Sequence, residues 1–225
     1  LLADKTPRAI LLNGWFQHYR YYAPFMKRIR KWFYFPSPLL THKSTHKDDV
    51  LIYIRLGDYY DVGMTLKYAY YEAAIQLARP RRIFIVTEDK HHPFLKQFDA
   101  YSPIVVSRDT LSDLAIALAF RKIILSCSTF AWWAAILADP EEVYFPIAEA
   151  GQWSPWTMQY SNYQQDLRIN DSKYTYFYNC VIVNSSRHHP GYVPLINAKP
   201  DSHDLKCFSK DALAFHTRSK AFWFV

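Results

Sequence analysis

Two short stretches carry residue types that could hold an anionic leaving group. The first is Ser126-Cys127-Ser128-Thr129-Phe130, where three hydroxyl side chains follow an apolar run at 122–125 and precede a segment of helical character. Such a turn offers hydroxyls and backbone N–H groups that have no partner inside the helix, at the end where the helix dipole favours negative charge. The second is Arg55-Leu56-Gly57-Asp58-Tyr59, directly after the apolar run 50–54. It brings a guanidinium, a conformationally permissive glycine and a carboxylate to another strand end. About 70 residues separate the two stretches. Their shared chemistry is charge stabilisation at a phosphate. Asp58 could take a proton from an attacking hydroxyl, or it could hold Arg55 in place. Glu88 and Asp89, after the run 82–87, are further proton-acceptor candidates.

The elements that must position these residues read as an alternation of strands and helices. Apolar runs at 50–54, 82–87, 104–106, 123–125 and 142–145 have the length of buried strands. Between them lie helical patterns at 67–78, 92–98, 112–120 and 130–138, the third with a cap expected at Thr110 or Ser112. Strands separated by helices imply an α/β, Rossmann-like, mostly parallel sheet. In such sheets ligands sit beyond the carboxyl ends of the strands, and Arg55, Glu88, Ser107 and Ser128 all fall there.

The flanks differ. Residues 1–49 form an N-terminal segment, with a basic amphipathic helix at 22–33 and a linker at 36–49. Residues 50–156 form the Rossmann-like domain. Residues 157–225 form an extension of uncertain fold, with one further strand expected at 174–183.

Composition sets outer limits. The chain has 225 residues, half of them hydrophobic and 18% aromatic, enough for a sizeable core. A net charge of +7 favours an anionic partner. The basic stretch 27–31 reads as a solvated helix face, so no nucleic-acid partner is expected. Cys127, Cys180 and Cys207 lack the spacing of a disulfide framework or a zinc site. His91-His92 and His188-His189 are adjacent pairs that diverge and chelate poorly. No metal or other cofactor is expected. No apolar run reaches bilayer-spanning length, so the chain reads as soluble, in the cytoplasm or a secretory lumen. Trp132-Trp133 reads as core packing, and Cys127 has no evident base to make it a nucleophile.

Four motifs resemble those of the alpha-1,2-fucosyltransferases, glycosyltransferase family 11. Tyr53-Ile54-Arg55-Leu56-Gly57-Asp58-Tyr59 is similar to the HxRRGDY element, and the segment 126–137 to SNSTFSWWAAWL. Asn13-Gly14-Trp15-Phe16-Gln17 with Tyr21-Tyr22 resembles GYFQSxxYF, and Thr87-Glu88-Asp89 stands in the place of FSDD. The resemblance covers roughly residues 10–150. It implies a GT-B-type, inverting, metal-independent transferase that moves L-fucose from GDP-fucose to a hydroxyl of an acceptor glycan. It also implies that the N-terminal half of that architecture is reduced or missing here, with other domains of a longer protein as possible neighbours.

Carried over, Arg55 matches the arginine expected at the donor diphosphate, and Ser128 and Thr129 match positions near the same phosphates. The expected donor-binding set is Tyr53, Arg55, Gly57, Asp89, Ser107, Ser126, Ser128, Thr129 and Phe130, with Arg55, Asp58 and Glu88 as the catalytic candidates. The chain departs from the family pattern at Tyr53 (histidine), Leu56 (second arginine) and Cys127 (asparagine), and it lacks the GGLGNQ element. Two alternatives follow: a donor such as an L-rhamnose nucleotide, or a non-catalytic carbohydrate- or nucleotide-binding domain.

Overall fold

The apolar runs fold as the interior of a parallel sheet, where strands covered on both faces need side chains that are hydrophobic throughout. A computed structural model describes residues 16–33, 35, 46–61, 65–147, 159–160, 163–164, 167–178 and 220–223. Its strands in chain order are β1 (Val50–Tyr53), β2 (Ile83–Val86), β3 (Ile104–Val105), β4 (Lys122–Ile124), β5 (Glu142–Ile147), β6 (Gln159–Tyr160), β7 (Tyr163–Gln164), β8 (Tyr174–Tyr178) and β9 (Lys220–Trp223). Seven of them make one sheet in the order β3-β2-β1-β4-β5-β8-β9, while β6 and β7 form a separate antiparallel pair. Every pairing in the large sheet is parallel; β1, for example, runs in register Val50↔Ile83 on one side and Val50↔Lys122 on the other. All four residues of β1 and of β2 are buried.

The helices are α1 (Tyr19–Tyr22), α2 (Met26–Trp32), α3 (Gly57–Asp61), α4 (Tyr68–Ala78), α5 (Thr110–Ala115) and α6 (Thr129–Ala138). Tyr70 and Tyr71 of α4 and Trp132 of α6 are among the largest fully buried side chains. Two of their polar tips are tied to backbone: Tyr70 Oη lies within hydrogen-bond distance of the carbonyls of Leu125 and Tyr144, and the Trp132 indole N–H donates to that of Leu167. Trp132 thus packs in the core, as its sequence context suggested, and Trp133 lies half-buried beside it.

Several sequence expectations are corrected here. The helix expected over 22–33 is broken, because Pro24 lacks an N–H and constrains its neighbour; a 3₁₀ turn (Ala23–Phe25) separates α1 from α2. The helix expected at 112–120 starts earlier and is capped by neither Thr110 nor Ser112. Its cap is Asp109, whose carboxylate accepts from the N–H groups of Leu111 and Ser112, and after Ala115 it tightens into a 3₁₀ turn (Ile116–Ala119). The segment after Pro93 is 3₁₀ throughout (Pro93–Tyr101). A short helix, α3, follows β1 where the sequence pattern predicts only a strand end.

The basic stretch is not wholly a solvated face. Arg30 donates from Nε to the Ile136 carbonyl and grips Asp139 with both terminal nitrogens, at 2.9 Å each. Strands β8 and β9 continue the sheet begun at residue 50, so the boundary drawn at 156 does not divide that sheet. The readings at Cys180, Cys207, His188-His189, residues 36–45, residues 179–183 and the Asn13 motif's first three residues lie outside the described residues.

Candidate active site

In an open parallel sheet the place for a ligand is set by topology. Where the strand order reverses, neighbouring connections leave to opposite faces and open a crevice beyond the strands' carboxyl ends. Here β1 is flanked by β2 on one side and β4 on the other, so the reversal lies between β1 and β4. An open cleft of about 140 Å³ sits at that point. Tyr53, Ile54, Val86, Phe130 and Ala131 supply its apolar surface, and Arg55, Thr87, Glu88, Thr110, Asp113, Ser126 and Ser128 its polar surface.

Arg55 leaves β1 and is held on several sides. Its Nη2 donates to Asp58 Oδ1 at 2.7 Å, its Nε lies 3.5 Å from Glu88 Oε1, and its guanidinium sits 5.1 Å from the ring centre of Tyr59. The side chain keeps about a third of its surface exposed. Glu88, from the end of β2, also accepts the backbone N–H of Leu56 at 2.9 Å. From the other side, Ser128 caps α6: its Oγ accepts the Phe130 N–H at 3.2 Å. The remaining first-turn N–H groups of α6 lack intrahelical partners, as at any helix start. Ser126 is buried at the end of β4 and lines the same cleft.

Tyr53 is buried, and its hydroxyl donates to the Asp113 carbonyl at 2.7 Å, tying β1 to α5. Its ring meets Phe130 edge-on with centres 6.1 Å apart. The cleft therefore brings together Tyr53, Arg55, Glu88, Ser126, Ser128 and Phe130 from the expected set.

Five expected residues do not line it. Asp58 is directed at Arg55. Gly57 adopts φ +48°, and a Cβ there would lie 3.1 Å from Glu88 Oε1, so its glycine character serves the turn. Asp89 is exposed and accepts the His91 N–H at 3.0 Å. The Ser107 hydroxyl accepts the Thr87 N–H at 2.6 Å, stitching the ends of β2 and β3 together. Thr129 opens α6 beside Ser128, half-buried and outside the lining.

Sequence reading missed Thr110 and Asp113. Both stand in the first turn of the helix that follows the third strand, the signal that would have found them. Asp113 is half-buried, and burial raises its carboxyl above the usual range. The Arg108 N–H, donating to Oδ1 at 2.9 Å, works against that shift, while the Asp109 charge adds to it. Cys127 is buried behind the cleft, and burial pushes its thiol up to about 12. A thiol so raised is not a nucleophile.

The family model for glycosyl transferase family 11 matches residues 39–166, more than half of the chain and all of β1 to β5 with the cleft between them. The chain belongs to glycosyl transferase family 11. No curated protein and no solved structure matches it. Membership makes this a glycosyltransferase of GT-B type, built on the α/β sheet described above. In this family 11 chain the motif position of the second arginine is Leu56, fully buried in the core. No helix among the described residues is long and apolar enough to cross a membrane.

Proposed function

We propose that the protein transfers a 6-deoxyhexose, L-fucose first among them, from a nucleoside diphosphate sugar to a hydroxyl of an acceptor glycan, with inversion and without a metal. One observation carries this reading: Arg55 from β1 and the Ser126–Ser128 turn from β4 face one cleft at the reversal of strand order. Departure of a nucleoside diphosphate develops negative charge on the β-phosphate. A fixed guanidinium and oriented hydroxyl and N–H donors stabilise that charge as it forms, with little reorganisation. Arg55 is the charge-stabilising group in this reading, and Ser128 and the start of α6 complete the phosphate site. Asp58 holds Arg55.

GDP-fucose is the favoured donor because of the family motifs. The changes to Tyr53 and Leu56 favour a second donor class, a nucleotide of L-rhamnose or another 6-deoxyhexose, as the alternative within the same chemistry. The test is incubation with GDP-fucose, UDP-rhamnose and related donors, following nucleoside diphosphate release with and without acceptor glycans. Acceptor-dependent release from one donor is expected. Tight nucleotide binding with no turnover on any donor would mean a binding domain on a transferase fold.

A further inference from the structure

We propose that Glu88 is a positioning residue: with Gly57 it forms a latch between the ends of β2 and β1 that aims Arg55 into the cleft, and it does not serve as the proton acceptor. This rests on the reading of the cleft as a donor site.

Glu88 Oε1 accepts the Leu56 N–H at 2.9 Å and pairs electrostatically with Arg55 Nε, 3.5 Å away. The backbone donor fixes where the carboxylate sits, and the carboxylate then fixes the guanidinium's inner edge. The latch also explains a glycine. The left-handed turn at Gly57 runs so close to Glu88 that a Cβ would stand 3.1 Å from Oε1 and 3.4 Å from Cγ. Asp58 and Tyr59, just beyond, hold Nη2 and the flat face of Arg55. A guanidinium fixed at its inner edge, one terminus and one face loses little freedom when it meets a phosphate.

The latch is tested with Glu88→Gln, Glu88→Ala, Gly57→Ala, Arg55→Ala and the Glu88→Ala/Arg55→Ala double variant, on the donor that the parent turns over. Gln keeps an oxygen for the Leu56 N–H but cannot act as a base at neutral pH. The latch predicts kcat for Glu88→Gln within about fivefold of the parent and an unchanged acidic limb of the pH profile. It predicts a loss near ~10²-fold for Glu88→Ala, like that of Arg55→Ala, and a double variant no more than about threefold worse than either. Gly57→Ala, which removes no charge, moves in the same direction as Glu88→Ala and covers the case in which the latter does not fold.

Equal collapse of Gln and Ala variants with loss of the acidic limb would make Glu88 the base and overturn the latch. So would multiplying losses in the double variant. If no donor turns over in the parent, the functional reading fails, and the latch is judged on the unliganded protein. There the NMR signal of the Arg55 Nε–H, assigned by its absence in Arg55→Lys, is expected to exchange slowly in the parent and in Glu88→Gln. It exchanges at solvent rates in Glu88→Ala. An unchanged signal in Glu88→Ala overturns the proposal whatever the donor chemistry.

Discussion

Arg55 reaches the cleft already committed to Asp58, Glu88 and the Tyr59 ring, so its removal takes away a pre-aimed charge and not a mobile one. Arg55→Ala is expected to lower turnover by ~10²-fold or more, the usual cost of losing a preorganised stabiliser. Arg55→Lys should recover little, since an ammonium cannot span two carboxylates and lie flat on a ring. Steady-state kinetics on the preferred donor checks both, and near-parental turnover in Arg55→Ala would remove this side chain from the mechanism. Cys127 makes the opposite case. Buried, with its thiol pushed up to about 12, it is a packing residue despite its place between Ser126 and Ser128. Iodoacetamide at pH 8 should leave Cys127 unlabelled in the native protein and label it in urea, as read by peptide mass spectrometry. Native labelling at a rate near that of a free thiol would show the cleft floor to be open.

At the scale of elements, the far end of β1 is fixed by a group of a different kind. Asp49 has no exposed surface and accepts from the His46 N–H, with Arg81 and Arg82 reaching it at 3.1 and 2.8 Å from the approach to β2. Burial alone would raise its carboxyl. The hydrogen bonds from Arg82 and Arg81 outweigh that and hold it at about 2. A carboxyl depressed in the folded state stabilises fully above its unfolded value of about 3.9 and loses that contribution as pH falls toward 2. The gain is about 2 kcal/mol, given arginine heads that remain half-exposed to solvent. Asp49→Asn should therefore lower stability by about that amount at pH 7 and flatten the loss between pH 4 and pH 2. Urea unfolding at pH 7, 4, 3 and 2 measures it; parallel curves for parent and variant would show the pairs to be worth nothing.

The strands were legible in the sequence because parallel strands covered on both faces must be apolar along their whole length, as Val50 to Tyr53 and Ile83 to Val86 are. Arg55 and Ser128 were legible for the same reason, since they stand where those runs end. Ser107 stands there too, yet its hydroxyl serves the Thr87 N–H, a choice made by cross-strand geometry that no run of letters displays. Asp113 and Asp49 were not legible. Asp49 matters through Arg81 and Arg82, far along the chain, and Asp113 reaches the cleft only because the fold brings the start of α5 to the ends of β1 and β2. Pro24 is visible in the sequence, and its missing N–H breaks a helix that the amphipathic pattern around it would otherwise continue.

At the scale of the whole molecule, three distant stretches of chain converge on one indole. Trp132 lies fully buried in α6; Tyr19 and Tyr22 pack on it with ring centres 6.3 and 5.8 Å away, and its N–H holds the Leu167 carbonyl at 3.0 Å. Arg30 and Lys173 meet about two turns away at Asp139, binding the same N-terminal and C-terminal stretches to the end of α6. The other end of α6 carries Ser128 into the cleft, so the helix couples the cleft to both flanks of the sheet. Trp132→Ala should cost about 3–5 kcal/mol, the range for emptying a large aromatic from a core. Trp132→Phe keeps much of the packing and loses the hydrogen bond, for about 1–2 kcal/mol. If the indole is the common anchor, amide exchange in Trp132→Ala will accelerate first across residues 19–32 and 167–177, while β1 and β2 keep their protection. Donor affinity should fall with it, because the start of α6 loses its fixed position. Exchange that quickens evenly across the whole sheet would show instead that the flanks and the cleft unfold as one unit.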